Sequence, residues 1–278
     1  MCQPSASSAG ATRFVLERQY GYPVTPIRTA QLNSVELAKF QVLILPDGGG
    51  YAGLLGDAGI QRVKAWVQAG GVLVALGGAV GFLTDSRVGL LDTVQENLVR
   101  DTEEKKPEEG RGAGAGGGGR GGRDGGGGTR GAGTLISSDA DYEKTIRATT
   151  ELPDSAPGAL ARARIRPDFW LTAGVAESVN AMVEGRAIYT PVKADKGVNA
   201  VYFDAPDKLL ASGYLWSENR KQMAYKPLVV TSTSGRGLVV GFTEDPNFRA
   251  MLDGMNVLFL NAVFRGPAHA RAAGPGEE

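Results

Sequence analysis

Val72-Leu73-Val74-Ala75-Leu76-Gly77-Gly78-Ala79-Val80-Gly81-Phe82-Leu83 decides the fold. The apolar run Val72 to Leu76 is short enough for a strand, its lack of alternation marks a strand covered on both faces, and the glycines after it tolerate a cramped turn into a helix. Open α/β sheets raise a Cys or Ser nucleophile on such a strand-turn-helix, in the pattern Gly-x-nucleophile-x-Gly. On that pattern the flanking glycines are Gly77 and Gly81, and the nucleophile's position is Ala79, whose methyl group has no nucleophilic chemistry.

Upstream, Gln41-Val42-Leu43-Ile44-Leu45-Pro46 is a second continuous apolar run, read as a central parallel strand. Between the two runs, Asp57 is the expected N-cap of a helix whose Ile60, Val63, Trp66 and Val67 share one stripe and which stops at Gly70-Gly71. Strand, helix and strand at this spacing form a right-handed βαβ unit. Thr12 to Tyr20 and Asn33 to Phe40 read as helices, the second with Asn33 or Ser34 as N-cap and Glu36 in its first turn. Downstream, Ala159 to Ile165, Ser178 to Val183 and Val198 to Phe203 read as strands, and Leu228 to Thr233 with Leu238 to Thr243 as a hairpin turning at Ser234-Gly235-Arg236-Gly237. The last expected element is a buried helix with Asp245 as N-cap and Pro246 in its first position, apolar at Phe248, Met251, Leu252, Met255, Leu258, Phe259, Ala262 and Val263.

The chain has 278 residues, and its 42% apolar content supports a real core. Thirty basic and thirty acidic residues cancel, so no net field argues for nucleic acid or an anionic membrane. Cys2 and His269 are the single cysteine and histidine, which excludes an internal disulfide and leaves too few ligands for an ordinary zinc site. No cofactor and no metal are expected in this chain. No stretch has the roughly 18 apolar residues of a membrane span, and Met1 to Gly10 lacks the basic and apolar regions of a signal peptide.

From Gly110 to Gly133 the chain is largely glycine and arginine, after the charged run Glu103-Glu104-Lys105-Lys106-Pro107-Glu108-Glu109. Such a segment reads as a disordered surface loop; the Gly119-Arg120-Gly121-Gly122-Arg123 stretch resembles a nucleic-acid tract but lacks interleaved aromatics. The strands before it are too few, and the helices after it too sparse, for either half to stand alone. The expected organisation is therefore a disordered or truncated start over 1–10 and one α/β domain over 11–265. That domain has a mostly parallel, flavodoxin-like sheet with flanking helices, a disordered insertion at about 101–134, and a flexible tail over 266–278.

Open sheets hold ligands at the carboxyl ends of their strands, and three stretches fall there. Pro46-Asp47-Gly48-Gly49-Gly50-Tyr51 reads as an anion nest or oxyanion hole, or else as a plain tight turn. The second stretch is the degenerate elbow Gly77-Gly78-Ala79. The third ends in Glu244-Asp245, an acid/base pair unless Asp245 is spent as a helix cap. A separate segment, Tyr214 to Lys226, places Tyr214, Trp216 and Tyr225 among Glu218, Asn219 and Arg220, the composition of an interaction surface, or of aromatics capping the sheet. His269 reads as a solvated tail residue.

Leu45-Pro46-Asp47-Gly48-Gly49, the elbow, and the late Gly241-Phe242 with Pro246 resemble the class I glutamine amidotransferase-like fold. That family's catalysis uses an elbow Cys and a late His-Pro-Glu; here Ala79 and Thr243-Glu244-Asp245-Pro246 stand in their places, so the resemblance implies the fold without the activity. A resemblance over nearly the whole chain is carried by Arg13-Phe14-Val15-Leu16-Glu17, Gly21-Tyr22-Pro23-Val24-Thr25-Pro26, Ala211-Ser212-Gly213-Tyr214-Leu215-Trp216-Ser217-Glu218-Asn219-Arg220-Lys221-Gln222 and Asp245-Pro246-Asn247-Phe248-Arg249. These are similar to the C-terminal, amidotransferase-like region of large bacterial zinc carboxypeptidase-family peptidases. The resemblance implies a non-catalytic accessory domain whose zinc belongs to an N-terminal peptidase domain of the same polypeptide, with that domain as partner and export to the periplasm or beyond. It also implies a missing first strand. The rival expectations are a stand-alone hydrolase or amidase using Asp47, Glu244 or a Ser, and a glycan-binding module built on Trp216.

Overall fold

The computed structural model describes residues 5–99, 138 and 151–271. The chain divides into two units, 1–98 with 152–278 and 99–151, and every element below belongs to the first. The Gly/Arg-rich tract at 101–134 lies outside the described residues.

Eight strands form one sheet: β1 (Val42–Leu45), β2 (Val72–Leu76), β3 (Ala156–Ile165), β4 (Ser178–Gly185), β5 (Val198–Phe203), β6 (Leu210–Gly213), β7 (Pro227–Ser234) and β8 (Gly237–Phe242). Their order is β1-β2-β8-β7-β5-β3-β4, with β6 also paired to β3. β1, β2 and β8 run parallel, and their register sets Leu45 beside Ala75 and Leu76 beside Phe242. The three carboxyl ends are therefore level.

Every residue of β2 and β8 is buried, because both faces are covered. Leu73, Ala75 and Val239 pack against Ile60, Val63 and Val67 of helix α2 (Tyr51–Gln68). Val72, Val74, Leu76, Leu238, Val240 and Phe242 face the other way, against Leu258, Phe259 and Ala262 of a late helix. This is the burial that the continuous apolar runs foretell.

The remainder of the sheet corrects the expectation of a mostly parallel one: β7, β5, β3, β4 and β6 are all paired antiparallel. In β3, Ala159, Ala161 and Ala163 point into the core while Arg162 and Arg164 alternate outward, the period-two pattern of a sheet wet on one face. β7 and β8 join directly through the tight turn at Gly235-Arg236, the connection that antiparallel pairing permits.

Further expectations are revised. The start is ordered from Ser5: α1 (Ala6–Arg13) continues as a π-helical turn over Phe14–Gln19, and the Ser5 hydroxyl caps it by accepting from Ser8 N–H at 3.3 Å. Asn33 to Phe40 forms only a 3-10 turn, Leu37–Lys39, since Asn33 donates to Leu55 O (3.1 Å) instead of capping a helix. α2 begins at Tyr51, ahead of Asp57, and bends at Gly56 (φ 61°, ψ 178°).

After β8, Asp245 accepts from Asn247 N–H at 2.9 Å and closes a turn, a 3-10 turn follows at Phe248–Ala250, and the late helix starts only at Asp253. In order, the remaining helices are α3 (Val80–Thr84), α4 (Ser217–Met223), α5 (Asp253–Phe264) and α6 (Gly266–Arg271). α6 occupies part of the expected flexible tail; His269 stacks on Trp170 with centroids 4.5 Å apart, which fixes it against the body.

Candidate functional site

The level ends of β1, β2 and β8 bring Asp47, the glycine turn and Glu244-Asp245 to one edge of the sheet. Asp47 Oδ1 accepts from Gly78 N–H at 2.6 Å, so the carboxylate occupies the backbone donor that an elbow would hold for an oxyanion. Asp47 is held from behind: its N–H donates to Ser8 Oγ (3.0 Å) and its carbonyl accepts from Ser5 N–H (2.6 Å).

The apex of the turn is not where the sequence pattern sets it. Gly77, directly after the strand, carries the left-handed φ of 53°, while Ala79 is helical (φ −66°, ψ −18°) and fully buried among the residues under α2. A Cβ on Gly77 would stand 2.8 Å from Asp47 Cγ and closer still to Oδ1. The residue that would present a nucleophile is thus a glycine whose side-chain space is filled. Gly78 is exposed, Gly48 and Gly49 are half-buried, and Tyr51 is buried with its hydroxyl donating to Pro46 O at 2.8 Å. Burial, then the Asp47 charge, raises the Tyr51 phenol.

Glu244 is buried and its carboxyl is pushed well above the ordinary range, first by desolvation and then by the charges of Glu184, Asp47 and Asp245; the Glu184 backbone N–H offsets this in part. Burial and the neighbouring carboxylates therefore favour its protonated form. Asp245 is raised by desolvation and by Asp47, against hydrogen bonds from Ser8 and Asn247 N–H. Asn247, with no exposed surface, ties this turn to α1 and α5 through Thr12 Oγ1 (3.1 Å) and Asn256 Nδ2 (2.9 Å).

Two members of the site escape the sequence. Ser8 falls in the expected disordered start, where the only signal is its spacing from the Ser5 cap. Tyr189 lies between β4 and β5 with no local signal; it is 3% exposed, and burial with the charges of Glu244 and Asp47 pushes its phenol up to about 12.

The Tyr214 to Lys226 segment splits into two roles. Tyr214 and Trp216 are exposed and meet edge to face at 4.9 Å, and Tyr225 is exposed with a left-handed φ of 61°. Glu218 is exposed and accepts from Ser217 Oγ at 2.9 Å. Asn219, expected on the surface, is instead buried and donates to Asp154 O (2.7 Å), and Arg220 is half-buried. Gln222 donates to Asn97 O (2.8 Å), and Lys226 pairs with Glu96. One face of α4 therefore holds the chain at residues 96–97 and at 154. Asparagine at the helix's third position reads equally as surface, which is why sequence reasoning misplaces it.

Among the described residues, no three of His, Cys, Asp and Glu are grouped to hold a metal, and no helix is long and apolar enough to cross a membrane. Two concavities lie away from these strand ends: about 680 Å³ beside Thr231 to Ser234, at the amino end of β8, and about 480 Å³ between β4 and the start of α5.

No protein-family model matches the sequence, and no curated protein does. Solved structures do. A cytoplasmic protein of Salmonella typhimurium superposes with TM-score 0.51 at 11% identity, over 92% of this chain and 85% of that one. A second, from strain LT2, gives 0.50 at 12%, over 93% and 87%. A ThuA-like protein of Parabacteroides merdae gives 0.51 at 10%, over 99% and 90%. The likeness establishes the fold: this chain has the class I glutamine amidotransferase-like architecture of the ThuA-like proteins.

Proposed function

We propose that this chain is a non-catalytic accessory domain of a zinc carboxypeptidase-like peptidase, with the zinc site on an N-terminal domain of the same, exported polypeptide. The observation that carries the non-catalytic half is the filled elbow: Gly77 at the apex has no side chain, and Asp47 occupies both the space before it and the Gly78 donor. Covalent acyl transfer needs a nucleophile, a base to activate it and a free oxyanion donor. The peptidase half is supported by the sequence resemblance, above all the Ser212-Gly213-Tyr214-Leu215-Trp216-Ser217-Glu218-Asn219-Arg220 stretch.

Within this reading, Tyr214, Trp216 and Tyr225 form the surface that meets the peptidase domain, since aromatic side chains are enriched where proteins join. Contacts between tethered domains work at an effective concentration near millimolar, so weak binding suffices. The purified chain should show neither glutaminase nor carboxypeptidase turnover, with or without zinc, and the coding DNA upstream should encode in frame a signal peptide and a His-x-x-Glu domain. Turnover that Asp47→Asn or Glu244→Gln abolishes would establish the hydrolase alternative instead.

A further inference from the structure

We propose that the open edge of β4 takes an extended peptide of a partner protein as an added strand, with an apolar side chain of that peptide entering the cavity between β4 and the start of α5. The proposal goes beyond the accessory-domain reading and stands whether or not a peptidase domain belongs to the same polypeptide.

The first observation is the hydrogen bonding of the edge. β1 and β4 end the strand order; β1 has four residues and stops at Pro46, whereas β4 has eight and contains no proline. Ile165 N–H donates to Glu177 O at 3.2 Å, and the β3–β4 register then turns the N–H and C=O of Val179, Ala181 and Val183 towards β3. Those of Ser178, Asn180, Met182 and Glu184 face the other way. Glu184 N–H agrees, since it is bonded to the Glu244 carboxyl and not to β3. Among the described residues, no strand pairs with Ser178, Asn180 or Met182 on that side, and Ser178 and Asn180 are exposed. Their donors and acceptors recur about every 6.8 Å, the repeat that another β-strand matches.

The second observation is the cavity of about 480 Å³ beside this edge, lined by Val175, Val179, Met251, Leu252 and Val257 with Asn180 at its border. The start of α5 closes on β4 so tightly that a Cβ at Gly254 would lie 3.0 Å from Val179 Cγ1, which gives the cavity a firm wall. Met251 is 62% exposed, and methionine is an adaptable apolar side chain enriched where proteins join. Side chains of an added strand alternate between the two faces of the sheet, so every second one is directed at α5; the main chain supplies affinity and the cavity selects the side chain.

Charge specifies the occupant further. Asp253 stands in the cavity wall, Glu177 immediately precedes the edge, both are exposed, and no Lys or Arg lines the cavity. The peptide that fits is therefore apolar at the cavity and basic beside it. A second copy of this chain fits less well. Its β4 has Val179, Ala181 and Val183 committed to its own core, and the side chains left to offer are Ser178, Asn180 and Glu184 beside the half-buried Met182. Edge-to-edge pairing of two copies would leave the apolar cavity unfilled or lined against polar groups.

The probe is the fluorescein-labelled peptide acetyl-Lys-Thr-Val-Thr-Leu-Thr-Val-Thr-Lys-amide, titrated with the full chain by fluorescence anisotropy and located by ¹⁵N spectra. Binding should saturate below about 1 mM and shift the amides of Asn180 and Met182. Replacing the central Leu by Asp, or both Lys by Glu, should each weaken it about tenfold. Two versions N-methylated on alternate residues separate strand addition from side-chain contact: the one whose methyl groups face β4 should lose binding, and the other should keep it. Asn180→Pro removes an outward N–H without touching the β3 ladder, and Met251→Asp changes an exposed side chain, so both should keep the circular dichroism of the parent protein and bind about tenfold more weakly. The proposal is overturned if no saturation is reached, if both N-methylated peptides bind like the unmethylated one, if Asp at the centre binds as well as Leu, or if Met251→Asp binds like the parent protein. A dimer in sedimentation that Asn180→Pro dissolves would also overturn it, by giving the edge to a second copy of this chain.

Discussion

Adding one methyl group at Gly77 tests the structural basis of the filled elbow. Gly77→Ala places a Cβ 2.8 Å from Asp47 Cγ and 3.1 Å from Asp47 Cβ, at a φ of 53°. The left-handed backbone alone costs a non-glycine residue about 1 kcal/mol. The overlap forces the Asp47 carboxylate aside and breaks its bond to Gly78 N–H, which adds about 1–3 kcal/mol. The sum is about 2–4 kcal/mol. Asp47→Ala by itself loses the same bond, about 1–2 kcal/mol, but removes the carboxylate that the new methyl group would strike. In that background the methyl group should cost little beyond its backbone strain. Urea unfolding of the two single variants and the double variant should therefore give a favourable coupling of about 1–3 kcal/mol. Additivity within about 0.5 kcal/mol would refute the reasoning, because Asp47 would then not occupy the apex space.

Three further outcomes follow from the same geometry. Glu244→Gln should stabilise the protein at neutral pH by about 1–3 kcal/mol, since the buried carboxyl favours its protonated form and must take up a proton on folding, whereas the amide needs none. The sign is fixed by linkage: the folded carboxyl holds its proton above the ordinary carboxylate range, so stability of the parent falls as pH rises from that range to the raised value, and the variant's advantage should vanish on acidification in thermal melts. Asn219→Ala and Gln222→Ala should each cost about 0.5–1.5 kcal/mol by urea unfolding, because each removes the hydrogen bond from a buried amide to a backbone carbonyl, Asp154 O or Asn97 O. Trp216→Ala should change the isolated chain's stability by no more than about 0.5 kcal/mol, yet reduce hydrogen-exchange protection of residues 214–226 in a full-length peptidase; equal exchange with and without the N-terminal domain would place the docking surface elsewhere.

The parallel third of the sheet is legible because Val42–Leu45, Val72–Leu76 and Gly237–Phe242 are apolar without alternation; β2 and β8 are buried on both faces as that pattern foretells, whereas β1, expected to be central, is an edge strand with Val42 and Ile44 only half-buried. The antiparallel two-thirds is signalled in Ala159 to Arg166, whose small-basic alternation fits a sheet with one wet face; weight given to the βαβ unit hides it. Helix starts are less legible. Asp57 and Asp245 are good caps by composition, but Gly56 only bends a helix already begun, and Asp245 is used to close a turn. Ala79 is misplaced for a related reason: glycine spacing fixes a pattern, whereas only backbone angles reveal which glycine takes the strained position. Tyr189 is illegible because only the fold brings the segment before β5 within reach of the Glu244 and Asp47 charges.

The same strand ends that stabilise negative charge in an acyl-transfer enzyme here display it. An oxyanion hole needs backbone donors aimed at open space, and the donor at Gly78 is aimed at Asp47. Restoring chemistry would take more than a nucleophile, because Gly77→Cys would put its side chain into the Asp47 carboxylate and leave the only histidine, His269, stacked on Trp170 and lowered in pKa by burial and Arg265. Gly77→Cys combined with Asp47→Ala should thus fold better than Gly77→Cys alone and still lack glutaminase turnover, since no base stands beside the thiol; turnover in that double variant would show that the fold supplies a base this account has not placed.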